Sequence, residues 1–190
     1  LRYGVDVAFP DDFSSDATSG LLEFFVAIDD GQGTLDADGG VYRLVVDATF
    51  APLRSGDFVS IDAAGQVGAA SLVAGTYDGA VHRSTNNGVT WYTNKEAPSG
   101  DNDAFVALTT DFLESSEVYT IVDGGEQALS LSIDGGVTFN QISLIDTNIV
   151  LVNDIAFAGT DRYMAATSGG NDNLWRHDGS YWERVGNSSA

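Results

Sequence analysis

The residues able to do chemistry are mostly acids. Asp plus Glu number 28 against 8 Lys plus Arg, a formal charge of −20 over 190 residues. A glycosidase needs two placed carboxylates, but in a chain this acidic a pair is no signal, and a solvated surface is the plain reading. One run stands apart. Asp29, Asp30, Asp36 and Asp38 are interspersed with glycines in the stretch Asp29 to Gly40. Loops of that kind can wrap oxygens around Ca²⁺, although no glutamate closes this one as in an EF-hand. It is a candidate calcium loop, set against a merely solvated one. Asp11, Asp12 and Asp16 form a weaker acidic group.

Other chemistries lack their residues. Lys95, the one lysine, sits in Asn94-Lys95-Glu96 without the glycine cradle of a phosphate loop. His82 and His177 are the only histidines and read as satisfied strand residues rather than a zinc pair. The absence of cysteine removes disulfides, thiolate metal sites and thiol nucleophiles. No Gly-x-Ser-x-Gly elbow occurs. No catalytic residue is assigned, and no cofactor beyond the candidate calcium. The charge argues against nucleic acid and anionic membrane as partners. No apolar run approaches the ~18 residues of a membrane span. An acidic, lysine-poor surface suits a secreted, calcium-rich or saline setting. No signal peptide is visible, and an opening at Leu1 points to a processed chain or a piece of something longer. Asn187-Ser188-Ser189 fits an N-glycosylation acceptor.

The elements that must position these groups are short strands. Ser84-Thr85-Asn86-Asn87-Gly88-Val89-Thr90-Trp91 and Ser132-Ile133-Asp134-Gly135-Gly136-Val137-Thr138-Phe139 share the pattern Ser-x-Asp/Asn-x-Gly-x-Thr-aromatic. Asp or Asn is expected to cap the backbone two residues on, glycine to supply φ > 0, and Ser and Thr to satisfy turn amides. The closing aromatic is expected to begin the next strand and pack inward. Degenerate copies end at Phe50 and Trp182, so the closing aromatics lie 41, 48 and 43 residues apart. That is the spacing of four-stranded blades. The blades are expected at 1–55, 56–100, 101–147 and 148–185, with a tail at 186–190, in an all-β chain with no helical period. Val41-Tyr42-Arg43, Val81-His82-Arg83 and Leu174-Trp175-Arg176 put an arginine at one repeat position. These are either structural stems or a ring for an anionic ligand.

The boxes resemble the Asp-box, or BNR repeat, of sialidase-, sortilin- and xyloglucanase-like β-propellers. The resemblance implies an Asp-box β-propeller of about four blades, part of a larger ring, with Ser84, Asn86, Gly88, Thr90, Trp91, Ser132, Asp134, Gly136, Thr138 and Phe139 in structural roles. It carries over no catalytic residue, since the sialidase Arg-Ile-Pro type element is absent. The expected function is a non-catalytic, exported module of a prokaryotic cell surface, binding protein or glycan, with a protein partner or further blades beside it. The alternatives are part of an extracellular glycoside hydrolase, or an assembly-factor propeller.

Overall fold

The computed structural model describes residues 4–16, 18–31, 39–45, 50–123, 127–144, 149–158 and 161–188. These residues form four separate sheets, each of four antiparallel strands in sequence order. Blade one is β1 (Gly4–Ala8), β2 (Glu23–Asp29), β3 (Gly40–Val45) and β4 (Ala51–Ser55). Blade two is β5 (Phe58–Ala64), β6 (Ser71–Thr76), β7 (Val81–Ser84) and β8 (Tyr92–Thr93). Blade three is β9 (Ala104–Leu108), β10 (Val118–Val122), β11 (Ala128–Ser132) and β12 (Asn140–Leu144). Blade four is β13 (Ile149–Ala158), β14 (Asp161–Ser168), β15 (Asn171–His177) and β16 (Trp182–Asn187). In the elements themselves, two details differ from the sequence reading. The last strand runs two residues into the segment expected as tail. A one-turn helix, α1 (Phe112–Ser115), follows β9 and ends at Ser116 with φ +59°. Four residues are too few to show a helical period.

The box hairpins owe their shape to side-chain hydrogen bonds. Asp134 Oδ1 accepts the amides of Val137 and Thr138 at 3.0 and 2.9 Å, and Oδ2 accepts the Thr138 hydroxyl at 2.7 Å. Ser132 Oγ donates to Asp134 Oδ1 at 2.7 Å and accepts the Gly136 amide at 2.9 Å. The Asp therefore reaches three and four residues on, not two; the serine covers the nearer amides. Slight burial pushes the Asp134 carboxyl up, but the bonds from Ser132, Thr138 and Val137 outweigh it and bring it to about 2. In the other box, Ser84 Oγ takes the Gly88 amide at 3.0 Å and Asn86 Oδ1 the Thr90 amide at 2.9 Å. Asn87 and Gly88 have φ of 60° and 79°, and Gly135 and Gly136 of 71° and 84°. A left-handed pair is thus required, which Gly and Asn adopt most easily. Of the closing aromatics, Phe139 is buried, Trp91 and Trp182 are half-buried, and Phe50 is 50% exposed against Tyr42. Residues 46–49 of the first box lie outside the described residues.

The core is three slabs between the four sheets. Ala8, Phe25, Ala27 and Val41 of blade one meet Phe58, Ile61, Leu72 and Ala74 of blade two. Val73 and Val81 meet Val106, Leu108 and Val118 of blade three. Phe105, Tyr119, Ile121 and Leu129 meet Ile155 and Met164 of blade four. Full burial of each large side chain, such as Phe25, contributes about 1.5–3 kcal/mol. Strand burial follows position in the stack. All residues of β9 and β10 are buried, because blade three is covered on both sides. β1 alternates, with Val5 68% and Val7 40% exposed, because the described residues cover only one side of blade one. The first strands β1, β5, β9 and β13 adjoin in turn, but β13 does not pack on β1 as the others pack on their neighbours. Among the described residues the stack is an open arc.

Candidate functional site

Three aspartates on first strands bind backbone amides, and two of them join neighbouring blades. Asp6 Oδ1 accepts the Val7 amide at 2.8 Å, and Oδ2 accepts the Ile61 amide of blade two at 2.8 Å. Asp62 repeats this with Ala63 and with Leu108 of blade three, both at 2.8 Å. Asp154 holds the Ile155 amide at 2.8 Å. Each has an apolar residue and then alanine after it: Val7-Ala8, Ala63-Ala64, Ile155-Ala156. That recurrence is the signal that could have singled them out among 28 acids. Burial pushes Asp62 up to about 6, against the lowering effect of its two amides and with help from the charges of Asp6 and Asp11. Burial raises Asp6 and Asp154 as well. Raised carboxylates often mark active sites, but in Asp6 and Asp62 the rise comes from burial at the blade joints, where both oxygens are taken up by backbone amides that lower it.

The same strands line a cavity of about 370 Å³ at their starts, with Val5 and Asp6, Val59, Phe105, Asn153 and Asp154 on its wall. Asp29 and Asp103 add to its negative field. Close by, the carboxylates of Asp29, Asp30 and Asp57 come within 4.8 Å of one another. Asp29 and Asp30 belong to the candidate calcium loop; Asp57, at the start of blade two, was not foreseen, since it lies 27 residues further along the chain than Asp30. Asp36 and Asp38 lie outside the described residues. The weaker acidic group is dispersed over backbone amides: Asp11 accepts Gly65 at 2.9 Å, Asp12 accepts Val67 at 2.7 Å, and Asp16 accepts Thr18 at 2.9 Å.

The repeated arginines find separate partners within their own blades. Arg43 lies 3.9 Å from Glu23, Arg83 lies over the Tyr92 ring, and Arg176 pairs with Glu183 and Asp161. The histidines are in different blades. His82 is buried against Phe58, and burial, then the charge of Arg54, lowers it to about 4. His177 Nδ1 accepts the Gly179 amide at 3.0 Å and lies 3.1 Å from Arg162 Nη1, so the ring is neutral with its proton on Nε2. Arg162, which no repeat pattern marks, also donates to Tyr119 Oη at 2.6 Å and lies over that ring. With Phe157, Glu117, Thr109, Thr110 and Asp111 these residues line a cavity of about 390 Å³ between blades three and four.

Solved structures share this architecture. The GH74 xyloglucanase from Xanthomonas campestris superposes with a TM-score of 0.64 at 13% identity, over 95% of this chain and 30% of that one. The six-bladed fucose-recognising lectin of Aleuria aurantia gives 0.61 at 9% identity, over 99% of this chain and 64% of the lectin. The fold is a β-propeller. YCF48 from Cyanidioschyzon merolae gives 0.53 at 14% identity, over all of this chain and 59% of that one. The propeller blades described here thus span less than two thirds of each of these proteins, and identities this low show the fold alone. No protein-family model and no curated protein matches the chain in sequence.

Proposed function

We propose that this chain is a non-catalytic, exported propeller module of the Asp-box kind, which works by docking protein on its two end blades, at a prokaryotic cell surface. The observation that carries the reading is the open arc. Blade one offers Val5, Val7 and Phe9 at 68, 40 and 49% exposure, and blade four offers Val150 and Leu174 at 73 and 42%. Apolar faces of that kind mark contact surfaces. The perturbed carboxylates Asp6 and Asp62 serve blade joining, which removes the best candidates for a hydrolytic pair and disfavours the glycoside hydrolase alternative. Calcium within the same proposal falls to Asp29 and Asp30, with Asp57 beside them.

A second reading, glycan binding, is favoured by the cavity of Tyr119, Phe157 and Arg162, where an aromatic wall meets polar groups as sugar faces and hydroxyls require. Two of the similar structures are described as a xyloglucanase and a fucose lectin. The tests separate these readings. Dilute chain should bind an environment-sensitive apolar dye, and Val7→Glu with Leu174→Glu should abolish the signal; no dye binding by the native chain overturns the docking reading. Xyloglucan turnover by the purified chain overturns the non-catalytic one. Calorimetric heat with α-methyl fucoside, lost in Arg162→Ala, would select the glycan reading.

A further inference from the structure

The outer face of blade four repeats, position by position, the face that blade one buries under blade two. In blade one, Asp6 pairs with Ala27 and Ala8 with Phe25; Ala27 then pairs with Val41 and Phe25 with Arg43. In blade four, Asp154 pairs with Ala165 and Ala156 with Tyr163; Ala165 then pairs with Leu174 and Tyr163 with Arg176. Both read Asp, Ala, aromatic, Ala, aliphatic, Arg in the same register. Blade one keeps Ala8, Phe25, Ala27 and Val41 at 4% exposure or less. In blade four, Asp154 and Ala156 are exposed, and Leu174 is 42% exposed.

The aspartate shows what is missing from this face. Asp6 and Asp62 each bind their own following amide and a first-strand amide of the next blade. Asp154 has the first of these bonds, to Ile155, and among the described residues no second. The other half of such a contact is carried by blade one. Val5 precedes Asp6 as Ile61 precedes Asp62. Strand amides alternate between the two edges. Val7 binds Asp6 on the free edge of β1, so Val5, two residues earlier, points its N–H to that edge too. Val5 pairs with Ile28 and Val7 with Val26, the positions at which Ile61 pairs with Ala74 and Ala63 with Leu72 in the face that blade two lays on blade one. The chain therefore holds both halves of its own blade contact, one at each end.

We propose that blade four of one copy docks on blade one of a second copy, with Asp154 accepting the Val5 N–H across the contact. This rests on the docking reading of the end faces and names their occupant. The contact is head-to-tail, so it closes into a ring or continues as a filament. Sedimentation over a concentration series reads the association, and hydrogen exchange reads the Val5 amide. The expected result is a mass above the monomer that rises with concentration, with Val5 protected in the assembly. Asp154→Ala should raise the dissociation constant about tenfold or more, the weight of a charged hydrogen bond. It should leave the melting temperature of the single copy unchanged, whereas Asp62→Ala lowers it. Leu174→Arg should weaken association while leaving the aspartate in place. A native chain that stays monomeric to millimolar concentration overturns the second copy as occupant, while dye binding at the end faces would still support docking of another protein. Association unchanged by Asp154→Ala overturns the role of the carboxylate, and association unchanged by Leu174→Arg overturns the face.

Discussion

Asp62→Asn isolates the charge from the shape of the blade joint. The native carboxyl stands at about 6 in the fold against an ordinary 3.8, a rise of about two pKa units. At about 1.4 kcal/mol per unit, the buried charge costs about 2–3 kcal/mol at neutral pH, an upper figure because Asp62 is half-buried and borders a further cavity beside Asp11, Leu108 and Phe112. A raised acid binds more protons folded than unfolded, so its contribution is fully present below 3.8 and is lost as pH rises through 6. Asparagine has no charge to desolvate. It can, however, accept only one of the amides of Ala63 and Leu108 well, and turns an N–H donor toward the other, at a cost of about 1–3 kcal/mol that is nearly independent of pH. Near pH 7 the two effects should almost cancel. Near pH 4 the variant should be the less stable by most of the amide cost. The decisive quantity is the difference between native and variant stability, from urea unfolding at half-unit steps between pH 4 and 7. His82 works the other way, since its lowered value makes stability fall as pH drops from 6.5 toward 4, but it is common to both proteins and cancels. Parallel native and variant curves across the whole range would refute the account of Asp62 as a desolvated joint.

The remaining predictions concern backbone, metal and box. Gly75→Ala should break the joint between blades two and three, because an added Cβ would fall on the Ala104 carbonyl; a melting temperature within a degree or two of the native value would contradict that close approach. Gly136→Val should cost about 1–3 kcal/mol, since a β-branched residue resists a positive φ; thermal melts check it. Trp91→Ala should cost less than the ~3–5 kcal/mol of a fully buried ring, because the indole is half-buried though its N–H bonds the Gly88 carbonyl at 2.9 Å. If Asp29, Asp30 and Asp57 share calcium, millimolar Ca²⁺ should raise the melting temperature and Asp57→Asn should abolish the rise; a flat calorimetric titration removes the ion.

The blades were legible because they are written locally. Box hairpins lie within eight consecutive residues, and their aromatics recur at blade spacing, so period and turn chemistry suffice. Even blade position leaves a trace: the unbroken apolar run of β9, Ala104-Phe105-Val106-Ala107-Leu108, is covered on both faces, while Val5-Asp6-Val7-Ala8 alternates. The joints were hidden because their partners are distant. Asp6 meets Ile61, and Asp62 meets Leu108, through backbone amides that carry no residue identity. No spacing rule can point from an acid to such an amide. Asp57 joins Asp29 and Asp30 for the same kind of reason, through the turn from one blade into the next. Arg162 was missed because its partners, Tyr119 and His177, come from different blades and follow no repeat.

Every sheet here is made from one unbroken stretch of chain, strand following strand, and no blade borrows a strand from another. The strands of each blade can therefore pair soon after they leave the ribosome, with only short loops to close, while the apolar faces are buried when neighbouring blades stack. The unit that evolution can copy, delete or append is then one whole blade, and lengthening the arc requires no rearrangement of what is already there.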